Sequence, residues 1–113
     1  MGQRLMRGAG KVVEETTNLD AVTSATTGDK VDCRSYNRIT IFVNVTANTG
    51  AVTVTQQASV DGTNWIDLVA KTYTAATGND TYHYGYNTYY PYVRTTTSTQ
   101  STSTVTTFVA ARN

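Results

Sequence analysis

Cysteine and histidine are nearly absent from this chain, and each scarcity removes a class of function. Cys33 is the single cysteine in 113 residues, so no intrachain disulfide can form. The default place for such a thiol is inside a strand, as a small buried side chain. His83 is the single histidine. A zinc site needs three or four His, Cys or carboxylate ligands, which one of each does not supply. A hydrolytic site needs a nucleophile, a base and a group that orients the base. No G-x-S-x-G occurs, and a spatial pairing of Cys33 with His83 is the one arrangement left open. The acidic loops Asp29/Asp32, Asp61/Asp67 and Asn79/Asp80 are sparse for calcium and read better as turn formers. No glycine-rich phosphate cradle follows a strand and opens a helix. The expectation is a chain with no catalytic residues, no metal ligands and no cofactor, hence not an enzyme.

Helix-forming material is also missing. Leu occurs three times and Glu twice, and no window repeats apolar residues at i, i+3, i+4 and i+7. No apolar run is long enough to cross a membrane as a helix. Residues 1–10 carry two arginines but no apolar core of a secretory signal. Met6 stands where a myristoylation motif needs Ser or Thr. The formal net charge is +1, with no basic stripe, so nucleic acid is the least favoured partner and no membrane partner is expected.

What the chain does have is β-forming material. Thr occurs 24 times and Tyr 8 times, with Val also frequent. β-branched and aromatic side chains suit a pleated, half-buried surface. The clearest strand is 38–46, with Ile39, Ile41, Val43 and Val45 on one face. A turn at 47–50 leads to a returning strand at 51–60, with Val52, Val54, Ala58 and Val60 aligned and Gln56 interrupting them. These two strands are expected to pair as an antiparallel hairpin. Asp61-Gly62-Thr63-Asn64 forms the next tight turn, followed by a strand ending near Ala70. Residues 75–80 read as loop, 92–97 and 102–111 as strands, and 11–15, 21–26 and 31–33 as short candidates. Seven or eight strands with turn signals every 8–12 residues predict an all-β fold. The expected form is an antiparallel two-sheet sandwich, jelly-roll-like, as a single domain over 11–113 with an extended N-terminal arm at 1–10.

Seven of the eight tyrosines lie between 73 and 92. Tyr82, Tyr84 and Tyr86 alternate on one strand face. Tyr offers rigid, amphipathic contact area and is enriched at protein interfaces. The same rings could fill the core or stack on sugars, and composition leaves the three roles open. The candidate contact residues are Tyr84, Tyr86, Tyr89, Tyr90 and Tyr92, with Arg4 and Arg7 anchoring the arm. From Tyr82 onward only Arg94 and Arg112 carry full charges, which suits an assembly surface.

Ser59-Val60-Asp61-Gly62-Thr63-Asn64-Trp65 resembles a recurring S-x-D-G-x-x-W hairpin, in which Asp-Gly sets the turn and Trp plugs the core behind it. Tyr92-Val93-Arg94 resembles the Y-[VI]-R strand that accompanies it. The pair occurs in discoidin-like, galactose-binding-like sandwiches and in small virion proteins of tailed phages. The chain lacks the bracketing cysteine pair of the discoidin pattern. The resemblance to phage virion proteins implies a structural protein of the virion, of the capsid decoration (cement) kind. It implies as partners copies of the chain itself and other virion proteins such as the major capsid protein. A tail or fibre subunit, or a carbohydrate-binding sandwich with a glycan partner, is the alternative.

Overall fold

The computed structural model describes residues 13–85, 90–100 and 102–113. Eight strands follow in order: β1 (Val13–Val22), β2 (Val31–Asp32), β3 (Arg38–Thr46), β4 (Val52–Ser59), β5 (Ile66–Tyr73), β6 (Gly78–Tyr84), β7 (Tyr92–Ser98) and β8 (Thr104–Arg112). They form two four-stranded sheets, β1-β8-β3-β6 and β2-β7-β4-β5. Every pairing is antiparallel. This interleaved order is that of a jelly roll, so the expected sandwich is the observed one.

The core follows from period-2 alternation. Ile39, Ile41, Val43 and Val45 of β3 are buried against Val52 and Val54 of β4, Val93 of β7 and Val105 and Val109 of β8. Thr95, Thr97 and Thr107 occupy the same inward rows, as does Gln56. Threonine has the shape of valine, so it packs, but its hydroxyl must find a partner. Two of these hydroxyls, those of Thr95 and Thr107, find theirs in one directed chain. The Leu19 N–H donates to Thr107 Oγ1 at 3.0 Å, and Thr95 Oγ1 donates to Asn18 Oδ1 at 2.7 Å. The 2.7 Å contact between the two threonine hydroxyls is then donated by Thr107. The chain starts and ends on neighbouring residues of β1, so it sews β1 to both sheets.

Three expectations need correction. Strands β3 and β4 do not form a hairpin. They lie in different sheets, β3 between β8 and β6 and β4 between β7 and β5. Alternation tells which face of a strand is buried but not which strand lies beside it. Residues 47–51 cross between the sheets because Asn48 is buried there, donating Nδ2 to the Tyr73 and Ala75 carbonyls. The candidates at 11–15 and 21–26 are replaced by one long strand, β1. Bulges between Thr17 and Leu19 and between Leu19 and Val22 hide its alternation. Residues 78–80, read as loop, open β6 through pairing of Gly78 with Val45 and Asp80 with Val43.

Register places the connections. Val13, Arg38 and Arg112 share a row in one sheet, and Asp32, Tyr92 and Ser59 share a row in the other. The β2–β3, β4–β5 and β6–β7 connections therefore lie at one end, with the start of β1 and the end of β8. The other four connections lie at the far end.

Candidate functional site

The β4–β5 turn is stapled by its own side chains. Ser59 Oγ accepts from the Gly62 N–H at 2.8 Å and donates to Asp61 Oδ1 at 2.9 Å. Asp61 Oδ1 also accepts from the Thr63 and Asn64 N–H groups, both at 2.8 Å, and Asp61 Oδ2 from Asn64 Nδ2. Those donors, the Asn64 and Thr63 backbone groups first, hold the Asp61 carboxyl well below the usual carboxylate range. Gly62 sits at φ 79°, a conformation that side chains disfavour. The Ser, Asp and Gly of the S-x-D-G-x-x-W stretch thus each have a geometric job.

The tryptophan of that stretch does something unexpected. Trp65 does not plug the core; it is half-buried and carries the Arg94 guanidinium over its ring, 4.1 Å from the centroid. Arg94 Nε donates to Gln57 Oε1 at 2.7 Å, and Gln57 Nε2 donates to Asp67 Oδ1 at 2.8 Å. Arg94, Gln57 and Asp67 stand in register on β7, β4 and β5. Trp65 and Arg94, one from each sequence motif, meet here, and the row behind Arg94 fixes the ring's orientation.

The stapled turn and the pinned ring shape a groove of about 250 Å³, lined by Ala58, Ser59, Val60, Asn64, Trp65, Ile66 and Tyr90. Its surface is almost wholly apolar. Val60 is 70% exposed and Ile66 60% exposed, unusual values for large aliphatic residues beside each other. Ser59 and Asn64 already spend polar atoms on the turn. The groove lies at the sandwich end where the chain enters β1.

Tyr90 forms one wall, and its support runs into the core. Its ring meets that of Tyr84 edge-on, with centroids 5.5 Å apart and planes at 77°. Tyr84 donates its hydroxyl to Gln56 Oε1 at 2.7 Å across the two sheets. Burial pushes the Tyr84 phenol up to about 12.

The candidate contact residues therefore separate. Tyr84 and Tyr90 come together, Tyr90 at the groove and Tyr84 behind it. Tyr92 lies on the outer face of its sheet, flanked by Lys30 at 5.4 Å and Arg34 at 5.2 Å from its ring centroid. Arg34 is held by a two-pronged ion pair to Asp32, whose carboxyl that arginine pulls down to about 2. Arg4, Arg7, Tyr86 and Tyr89 lie outside the described residues, as does the arm at 1–10. Val60, Trp65 and Ile66 were not among the candidates. The signal for them was present as a run of apolar residues at 65 and 66 that breaks the alternation immediately after a tight turn.

The two reactive residue types stay apart in environment. Cys33 is buried, and burial raises its thiol to about 11. His83 is exposed, with Nδ1 3.2 Å from the Thr40 hydroxyl. Among the described residues no three His, Cys, Asp or Glu side chains cluster as metal ligands.

No protein-family model matches the chain, and no curated protein matches it in sequence. Its fold is similar to the crystal structure of the SPBc2 prophage-derived protein YomS. The TM-score is 0.63 at 10% identity, covering 91% of this chain and 95% of that one. A structure described as "CBM4 structure and function" is more distant, with a TM-score of 0.47 at 16% identity over 92% of this chain and 72% of that one. At these identities the likeness concerns the fold: a β-sandwich that also occurs in a prophage-derived protein.

Proposed function

We propose that the chain is a non-enzymatic structural protein of a phage virion, of the capsid decoration type. It attaches through the groove end of the sandwich to the major capsid protein and to copies of itself. The observation that carries this reading is the exposed apolar groove walled by Val60, Trp65, Ile66 and Tyr90. A monomeric domain gains nothing from holding such side chains in water on a stapled turn, whereas an assembly subunit buries them. The sandwich shared with a prophage-derived protein is in keeping with it. The glycan alternative has less support at this site, because the groove offers a sugar few hydrogen-bonding groups.

The test is mass spectrometry and immunogold labelling of purified particles from the phage or prophage that encodes the chain. The expected result is many copies per particle, on the shell. Absence from purified particles would overturn the reading, and label confined to the tail would replace decoration by the tail-subunit alternative.

A further inference from the structure

The groove end holds a second feature besides the groove. The chain enters β1 there, and residues 1–12 precede it. That stretch contains one adjacent pair of large apolar residues, Leu5-Met6, bracketed by Arg4 and Arg7 and spaced by Gly2, Gly8 and Gly10. The groove offers the complement. Its walls are apolar, and the exposed Asp61 carboxylate lies in the turn between the lining residues Val60 and Asn64. The nearby cations are occupied on the outer sheet face, Arg94 over Trp65 and Lys30 over Tyr92. Methionine and leucine fill irregular apolar gaps well, and methionine adapts its shape to them.

We infer that the groove receives the Leu5-Met6 segment of a second copy of this chain, with Arg4 and Arg7 drawn to the Asp61 carboxylate of the turn. The inference deepens the reading of this end as a contact surface and rests on it. The sheet order supplies the geometry. β1 is an edge strand of one sheet, and β5 is an edge strand of the other. β5 and β6 share one side of the sandwich, joined by residues 74–77, and β1 and β2 share the opposite side. Donor segment and acceptor groove therefore leave from the same end but from opposite edges. Reciprocal exchange of the segment closes a two-fold dimer, and one-way donation repeated from copy to copy generates a ring or a filament. Reach is sufficient: the seven residue-to-residue steps from Met6 to Val13 extend to about 25 Å, while four strands span about 14 Å.

The experiment uses the full chain in sedimentation velocity over a concentration series, with two variants. Leu5→Asp/Met6→Asp disables the segment and leaves the groove. Val60→Asp/Ile66→Asp disables the groove and leaves the segment. Urea unfolding confirms that both remain folded. The wild-type chain is expected to self-associate, and each variant to weaken that self-association by roughly 30-fold or more. Mixing the variants leaves one working segment and one working groove, so it is expected to give a heterodimer and stop there. A wild-type chain that stays monomeric at every concentration overturns the inference, including the case where Leu5→Asp/Met6→Asp lowers its melting temperature because the segment covers its own groove. Oligomers that persist in both variants overturn it too. Particle labelling reads the virion assignment without reference to self-association, so the two can fail separately.

Discussion

The two ends of the sandwich are built on different principles. At the far end, side chains tie one connection to another. Asn48 bridges the β3–β4 crossing to the carbonyls of Tyr73 and Ala75, and Gln100 Nε2 reaches the Val22 carbonyl at 2.9 Å. The Thr97 hydroxyl accepts from the Thr26 N–H at 3.0 Å. These bonds join segments far apart in sequence and leave little for a partner to use. At the groove end the β4–β5 turn satisfies its polar groups within itself, through Ser59, Asp61 and Asn64. Apolar side chains are consequently left facing outward. Stability is concentrated in the polar stitching, and contact surface at the groove. A similar contrast separates the sheet faces: Phe42 and Phe108, directly opposite each other on β3 and β8, are each 42% exposed, while the neighbouring rows carry Thr40, Ala110 and His83 on one side and Asn44, Thr106 and Asn79 on the other.

The contrast can be broken most sharply at the stitch. Thr107→Val keeps the shape of the side chain but leaves the buried Leu19 N–H without its acceptor, at a cost of about 2 kcal/mol in urea unfolding. A loss below about 0.5 kcal/mol would show that the hydroxyl chain contributes little. Tyr84→Phe removes the donor to buried Gln56 Oε1 and should cost about 1 kcal/mol, because the ring itself stays packed. It should also loosen Tyr90, seen as weaker contact between the two rings in nuclear Overhauser spectra.

Acid tests the turn. The Asp61 carboxyl is depressed in the folded state, so its contribution to stability is present above the ordinary carboxylate range, near pH 4. That contribution disappears as pH falls through the lower folded value. Asp32 acts in the same direction, through about 2. Unfolding followed from pH 6 to pH 2 should therefore show falling stability below about pH 4. Asp61→Asn keeps an acceptor for the backbone donors and removes the titration, so its slope in that window should be shallower. An unchanged slope would place the acid sensitivity elsewhere.

The smallest effect is expected at the groove. Val60→Ser and Ile66→Ser replace largely exposed side chains and should change stability by less than about 0.5 kcal/mol. A loss of 2 kcal/mol or more in either would mean that these residues support the fold, and the division between the two ends would not hold.

How far the site was legible depended on the residue. The turn could be read, because Asp61, Gly62 and Asn64 act on backbone within three residues of themselves. The core face of β3 could be read for the same local reason. Trp65 was legible as a landmark and wrong in its role, because a large ring after a turn packs inward or outward depending on what the next strand offers. Here Arg94, 29 positions later, holds it at the surface. The tyrosines gave a contact region but not its members. Tyr84 and Tyr90 become a strut and a wall because Gln56, the one polar residue in the inward row of β4, lies beneath them.

By itself, then, the sequence determined the class of fold: alternating β-branched residues, scarce helix formers and regular turn signals permit little but an antiparallel sandwich. It also determined the scarcity of groups on which catalysis or a metal centre could be built. Tertiary structure alone decided which strands are neighbours, why Thr95 and Thr107 belong in the core, and which apolar residues remain outside. Alternation is a property of single strands, whereas sheet order, buried hydroxyl chains and a groove between a turn and a distant tyrosine arise only when segments far apart in sequence meet.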